Sequence, residues 1–446
     1  MTRIDVRRLP KQRGVSGWSD ILGPGQQFEP LTGKVTADFV VVGAGFAGLS
    51  AARRIQQIVP DANIRLLEAG KISEGAAGRN SGFMIDLPHE LTSNDYAGAG
   101  DDAAVIRMNR AAIGFARDSV NEYEIKPDFF DECGKVNGAA SQTAHGHNIS
   151  YANHLKSLGE ASSALDAQQM YELTGSRHYL SGLFTPGTVV LQPAGYIRGL
   201  ANGLAKTGVN IHAASPVTNL IKCGTGWTVK TQTGQVATAR VVLATNGHLE
   251  SFGFARHRLM QIFLFASMTR ELDADEQKRL GGAPRWGITP SDPMGSTIRR
   301  IDTGQGGNRI VTRTYAVMRP GMESTASDLR TAARLQQKKF DQRFPQLAGV
   351  EMQYKWSGHL CLSLNSVSVV GELEAGLYSA CVQNGLGTAR GTLTGMAAAE
   401  LACGVSSDLT RHFLSEAPPR RLPPRPLREI GANAFMRWKE WRARAE

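Results

Sequence analysis

Six consecutive residues, Gly43-Ala44-Gly45-Phe46-Ala47-Gly48, followed twenty positions later by Glu68, have the types and spacing to hold a dinucleotide. A first glycine permits a tight turn, a second lets backbone approach a pyrophosphate, and a third lets a helix pack closely on the preceding strand. The carboxylate of Glu68, with Ala69 beside it, can accept hydrogen bonds from the adenosine ribose hydroxyls. A second stretch of small residues, Gly75 to Phe83, contains Gly78-Arg79-Asn80-Ser81-Gly82. Backbone there can lie against something planar or phosphorylated. Arg79 suits a phosphate or carboxylate, and Asn80 and Ser81 offer short hydrogen-bonding arms. Residue types alone leave this loop evenly balanced between a ligand contact and ordinary surface.

These residues need elements to place them. Phe39–Val42 is a short apolar run with β-branched residues, which fits a buried parallel strand. Leu49, Ala52, Ile55 and Val59 recur at helical spacing, so the glycine turn opens onto a helix whose N-terminal dipole favours a diphosphate. Ile64–Leu67 is a second apolar strand. Strand, glycine turn, helix, strand and acidic end in about thirty residues is a specific signal for a dinucleotide site, where a glycine triplet alone is not.

Further along, Ala103–Glu122 predicts a helix, and His145 and His147 fall in a Gly/Ser/Asn-rich stretch that reads as a solvated loop. Gln192–Tyr196 leads into a helix to about Lys206. Val209–His212, Trp227–Thr233 and Val236–Leu243 read as strands, the last ending in Ala244-Thr245-Asn246-Gly247. Arg256–Thr269 and Thr297–Arg313 read as antiparallel strands that carry Arg299, Arg300, Arg309 and Arg313. Glu271–Leu280 and Ser327–Phe344 read as helices. Tyr378–Val382 precedes Gly385-Leu386-Gly387-Thr388 and another helix, which again aims N–H groups at a ligand. After a proline-rich connector, Leu427, Ile430, Ala434, Trp438 and Trp441 repeat at three or four. That predicts an amphipathic helix docked on the protein's own body, with a membrane or partner contact as the alternative.

With 446 residues the chain can bury a large core and is expected to form two domains. Hydrophobic content of 41% and charge of 20% fit an ordered globular protein. No run of apolar residues is long enough to span a membrane, and the N-terminus lacks the apolar core of a secretion signal. The five cysteines are widely spread with no CxxC pair, so neither a disulfide framework nor a metal site is expected, and the cytoplasm is the default location. The formal charge is +10, but residues 1–14 carry a net +4 and residues 411–446 a net +5. The body is nearly neutral, which argues against a nucleic-acid footprint.

The pairing of the N-terminal GxGxxG unit with GAAGRNSG resembles the D-amino-acid-oxidase-like FAD-dependent oxidoreductases, and within them the γ-glutamylputrescine oxidase-like amine oxidases. The resemblance implies an α/β fold (α+β overall): a Rossmann-like FAD-binding domain and a discontinuous substrate domain built on an antiparallel sheet. Expected boundaries are an irregular N-terminal arm at 1–35, pinned by Trp18, Ile21 and Leu22, and FAD-binding segments at 36–90, 165–250 and 355–410. Substrate segments are expected at 91–164 and 251–354, with a basic tail and its amphipathic helix at 411–446. The resemblance also implies that Arg79–Phe83 wrap the flavin, that Val217 holds the adenine through its backbone, and that the turns at 244–247 and 385–388 return to the cofactor.

The stretch Trp356-Ser357-Gly358-His359-Leu360-Cys361 matches the family's WxG return to the flavin face. Amino-acid-oxidising relatives place an arginine just after it, and here His359, Leu360 and Cys361 stand instead. That departure favours an amine without the α-carboxylate. The expected chemistry is oxidation of a primary or secondary amine to an imine by hydride transfer to FAD, with oxygen or an electron-accepting partner downstream. Trp356 is expected to wall the substrate and His359 to contact it or accept a proton. Arg79 and the arginines near 299 are expected to hold an anionic tail. Cys361 is expected to be a small buried hydrophobe, with covalent flavin attachment as the alternative. The alternatives in function are an amino-acid oxidase of the D-amino acid, glycine or sarcosine type and a tRNA-modifying flavoprotein.

Overall fold

A computed structural model of the chain describes residues 2–90, 93, 96–98 and 100–446. Gly33–Val42 forms the centre of a nine-stranded sheet because Phe39–Val42 can be buried on both faces. It pairs in parallel with Ile64–Leu67 on one side and with Gly234–Leu243 on the other, with Phe39 opposite both Ile64 and Arg240. Asn210–His212 extends the parallel set beyond Ile64–Leu67, and Leu377–Cys381 joins Gly234–Leu243 in parallel. Gly226–Lys230 and Asn219–Cys223 continue the sheet as an antiparallel meander. The helices Phe46–Ile58 and Ala389–Ala402 pack against each other, and a continuous apolar core joins them to the sheet.

The second layer is an eight-stranded sheet running Met352–Ser363, Leu259–Thr269, Arg309–Met318, Thr297–Ile301, Trp286–Pro290, Lys135–Ala139, Ser181–Thr185 and Ser163–Asp166. Its neighbours are antiparallel except where Trp286–Pro290 meets Lys135–Ala139. The antiparallel sheet expected for the substrate side is therefore present.

Its membership crosses the boundaries drawn from sequence. Ser181–Thr185 and Met352–Ser363 hydrogen-bond into the eight-stranded sheet, although segments 165–250 and 355–410 were assigned to the FAD side. Alternation alone cannot say which of two sheets a strand joins.

Two local expectations also change. The arm at 1–35 is not wholly irregular, because Arg3–Asp5 pairs with Asn219–Cys223 and a short helix spans Gly17–Asp20. Trp18 is fully buried there, as expected. His145 and His147 lie in a helix, Gln142–Ser157, capped by the Ser141 side chain, and not in a loop. Among the described residues there is no grouping of metal-ligating residues and no helix long and apolar enough to cross a membrane.

The C-terminal helix, Leu427–Arg442, presents the opposite face from the one expected. Its polar side grips the strand Arg309–Met318: Ala316 N donates to Glu440 Oε1 at 2.9 Å, and Met318 N donates to Asn433 Oδ1 at 2.9 Å. Those two strand amides lie past the stretch that pairs with Thr297–Ile301, so helix side chains satisfy them. The apolar repeat faces outward.

Candidate active site

Four glycine-bearing turns, far apart in sequence, meet around one cavity of about 850 Å³. Its lining includes Gly43, Ala44, Gly45, Phe46 and Ala47, then Glu68 and Ala69, then Arg79, Asn80, Ser81, Gly82 and Phe83. Val217, Ala244, Thr245 and Asn246 continue the wall, and Gly358, His359, Gly385, Leu386, Gly387 and Thr388 complete it. Gly48, Gly78 and Gly247 stand behind the wall. A Cβ on Gly48 would lie 1.7 Å from the Gly43 carbonyl oxygen, so this glycine serves helix–strand packing. Gly43 has φ +106°, a turn conformation that favours glycine.

The cavity's free donors fit a dinucleotide. The helices Phe46–Ile58 and Ala389–Ala402 both begin without a side-chain cap, so their positive dipole ends and first N–H groups remain available, apart from Arg390 N, which donates to Leu386 O. Glu68 is fixed by Ala44 N to Oε2 at 2.8 Å and by Gly70 N to Oε1 at 3.1 Å. Burial raises its carboxyl pKa, and the backbone donors, Ala44 first, oppose that rise. Asn246 Oδ1 is buried with no partner and lines the cavity, an acceptor awaiting a donor. Thr388 Oγ1 donates to Phe83 O at 2.7 Å, which locks the C-terminal glycine turn to the loop at 78–83.

That loop is shaped from within. Asn80 Nδ2 donates to Ala77 O at 2.6 Å, and its Oδ1 accepts from Gly82 N at 2.7 Å. Arg79 turns away from any anion in the cavity. Nε donates to Glu74 O at 2.6 Å, Nη1 to Arg13 O and Ser357 O at 3.1 Å each, and Nη2 to Gly14 O at 3.0 Å. Burial brings its pKa down to about 10. The expectation that this guanidinium pairs with a phosphate or a substrate tail is corrected: backbone carbonyls take its donors.

Trp356 does not wall the cavity. It is fully buried with Trp18 and Met268, and its Nε1 donates to Arg79 O at 3.0 Å. The WxG turn points the tryptophan into the core beneath the loop, while Gly358 and His359 reach the cavity.

His359 is placed in the cavity wall as expected. Gln261 Nε2 donates to Gly247 O at 3.2 Å and to Glu250 Oε2 at 2.8 Å. Its Oε1 is therefore the acceptor facing His359 Nε2 at 2.8 Å. That orientation puts the proton on Nε2 and leaves Nδ1 as an acceptor. The ring stacks on Phe263 and meets His248 edge-on. Burial drives its pKa down to about 3, and His248 adds to the fall. His248, also in the wall, is lowered by burial to about 4. Both are neutral at physiological pH.

Of the four arginines expected near the substrate, three are committed elsewhere. Arg299 bonds Ser81 O, Leu191 O and Gln305 Oε1. Arg300 bonds the carbonyls of Gly281 and Ala283, and Arg309 bonds Thr269 O and Gln353 Oε1. Arg313 differs. It lines the cavity, its Nε is buried without a partner, and it makes no hydrogen bond or ion pair among the described residues. Burial lowers its pKa. Beside it, His89 lines the cavity, stacks on Tyr96 with centroids 4.0 Å apart and is held neutral, chiefly by burial and then by Lys135 and Arg313.

Several lining groups had no signal in the sequence: His89, His248, the arm from Arg8 to Gln12, and the inner side of the C-terminal helix at Ala432 and Met436. None sits in a motif. Each reaches the cavity only because separate layers close over it.

Comparison with known proteins agrees with this geometry. Residues 38–401 match the family model DAO, described as FAD dependent oxidoreductase. The chain is 25% identical over 389 residues to a probable oxidoreductase OrdL of Haemophilus influenzae, covering 85% of each chain. It is 25% identical over 386 residues to the γ-glutamylputrescine oxidoreductase of Escherichia coli K12, covering 84% of this chain and 86% of that one. The glycine oxidase of Geobacillus kaustophilus superposes with a TM-score of 0.69 at 16% identity, over 88% of this chain and all of the other. With its four glycine turns gathered on one cavity and 38–401 matched throughout, this chain belongs to the DAO family of FAD-dependent oxidoreductases.

Proposed function

We propose that this protein oxidises the C–N bond of a small amine or amino acid that carries an anionic group, and that Arg313 seats the anion. The observation that carries this reading is a half-buried guanidinium in the wall of the cofactor cavity, with its Nε buried and no hydrogen bond or ion pair among the described residues. An anionic ligand stabilises a cation that is partly withdrawn from water and without a protein partner. A carboxylate would do so with charge-assisted bonds.

FAD, when bound along the four glycine turns, supplies a two-electron acceptor for the hydride on the carbon next to nitrogen. The residues named for the cofactor would divide the work by chemistry. The helix start at Gly45–Ala47 would hold the diphosphate, Glu68 the ribose and Val217 the adenine. Asn80–Phe83 and Gly385–Thr388 would flank the isoalloxazine. His359 would offer Nδ1 as a hydrogen-bond acceptor. With a pKa near 3 it orients a group and does not hold a proton at neutral pH. Arg313 and the neutral imidazoles disfavour a second cation, which promotes the free amine that hydride loss requires.

Arg313 also changes the weight of the missing arginine after the WxG turn. The strand Arg309–Met318, two places away in the same sheet, supplies the cation, so a carboxylate-bearing substrate fits. A γ-glutamyl amine has a carboxylate remote from its amine, and an amino acid has one adjacent. Anaerobic bleaching of the yellow holoprotein with a panel of both kinds tests the reading. Bleaching by substrates with a carboxylate, and much weaker bleaching by their uncharged analogues, is expected. Equal response to both would remove Arg313 from the reading, and a colourless protein that FAD cannot reconstitute would sink it.

A further inference from the structure

The C-terminal helix is amphipathic the wrong way round for a helix that serves only its own fold. Leu427, Ile430, Phe435, Trp438 and Trp441 are 65, 64, 57, 47 and 61% exposed. Ile430, Trp438 and Trp441 lie along the outer side, Leu427 and Phe435 stand at its edge where they also reach the cavity, and Asn433, Met436 and Glu440 face the protein. Two tryptophans and an isoleucine on one exposed stripe call for an occupant. The helix lies beyond residue 401, where the family match ends.

Its charges select the occupant. Both carboxylates of the helix are engaged: Glu429 with Arg425 and Arg428, and Glu440 with Arg437 and the strand amide of Ala316. Lys439, Arg442 and Arg444 have no ion-pair partner among the described residues. They stand over the exposed rings instead: Arg442 over Trp438 at 5.2 Å, Arg444 over Trp441 at 4.5 Å, and Lys439 over Phe435 at 5.9 Å. The connector leading in adds Arg420 and Arg421, also without ion-pair partners among the described residues. The outer face is thus apolar and cationic with no free carboxylate. A second copy of the same face would set like charges against one another. Aromatic rings interleaved with cations match the headgroup level of an anionic bilayer, where rings enter the interface and cations meet phosphates.

We propose that the outer face of Leu427–Arg442 seats this protein on an anionic lipid surface. The helix is about 24 Å long and lies in the plane of the interface, since no described helix can cross a membrane. Its inner side supplies Ala432 and Met436 to the cavity wall, so docking brings that wall to the lipid.

Flotation of the full-length holoprotein with vesicles tests this, comparing pure phosphatidylcholine with phosphatidylcholine containing about 30 mol % phosphatidylglycerol. The anionic vesicles are expected to carry at least about tenfold more protein and to shift tryptophan emission to the blue. Changing Trp438→Ala together with Trp441→Ala should abolish flotation, and Arg442→Glu with Arg444→Glu should remove the preference for phosphatidylglycerol. Flavin content reports that each variant is folded. Wild-type holoprotein that stays with the lipid-free fraction overturns the proposal. So does a concentration-dependent dimer that the tryptophan substitutions dissolve, which would assign the face to a second copy.

Discussion

Trp356 donates its indole N–H to the carbonyl of Arg79, and Arg79 returns a hydrogen bond from its guanidinium to the carbonyl of Ser357. This reciprocal tie fastens the loop at 78–82 to the strand that carries His359. The same guanidinium holds the arm through the carbonyls of Arg13 and Gly14. Arg79→Lys keeps the charge but cannot reach four carbonyls with one ammonium. It should cost about 3 kcal/mol of stability and lower flavin content together. Thermal unfolding and the ratio of visible to ultraviolet absorbance check this. A rise in KM with unchanged melting would mean that Arg79 contacts substrate after all.

Arg313→Met removes the unpaired cation while keeping much of its length. For a substrate with a carboxylate, KM should rise about 100-fold, equivalent to about 3 kcal/mol. Stability should hold or increase, because the guanidinium pairs with nothing in the free protein. Steady-state kinetics with a charged and an uncharged amine of equal size separate seating of the anion from a general packing defect.

The neutral imidazoles set the pH behaviour. His359 and His248, with pKa values near 3 and 4, stay uncharged through neutral pH, so kcat/KM should show no limb near 6.5. It should rise with pH as the substrate amine loses its proton. Stability has the matching sign. The unfolded chain protonates these histidines below about 6.5, while the folded chain resists until about 3 to 4. Melting temperature should therefore fall as pH drops through that window. His359→Gln, which takes up no proton, should flatten part of the fall.

The dinucleotide unit was legible because backbone geometry dictates its residues. Gly43 must take a positive φ, Gly48 has no room for a Cβ, and Glu68 must end a parallel strand. Such demands leave local marks. Arg313 left none, because four arginines on neighbouring strands look alike until pairing shows which have carbonyls to bond. Trp356 misled for the same reason, since a strand residue's facing depends on register. The C-terminal helix was found at the right residues with its orientation inverted. Periodicity reveals a stripe, and it cannot say whether the stripe meets the protein or something outside it.

Cys361 sits in the cavity wall at the position where a covalent flavin link was the alternative expectation. The thiol is fully buried, packed with Cys381, Leu249 and Phe252. Burial pushes its pKa well above the usual thiol range, and Cys381 and Glu250 push in the same direction. Thiol chemistry needs the thiolate, and no described cation stands close enough to support one. The flavin should therefore be held without a covalent bond. Acid precipitation should leave a white pellet and a yellow supernatant, and Cys361→Ala should retain flavin at a stability cost of about 1 kcal/mol. A pellet that stays yellow in the wild type and turns white in the variant would show that the thiol reacts despite its surroundings.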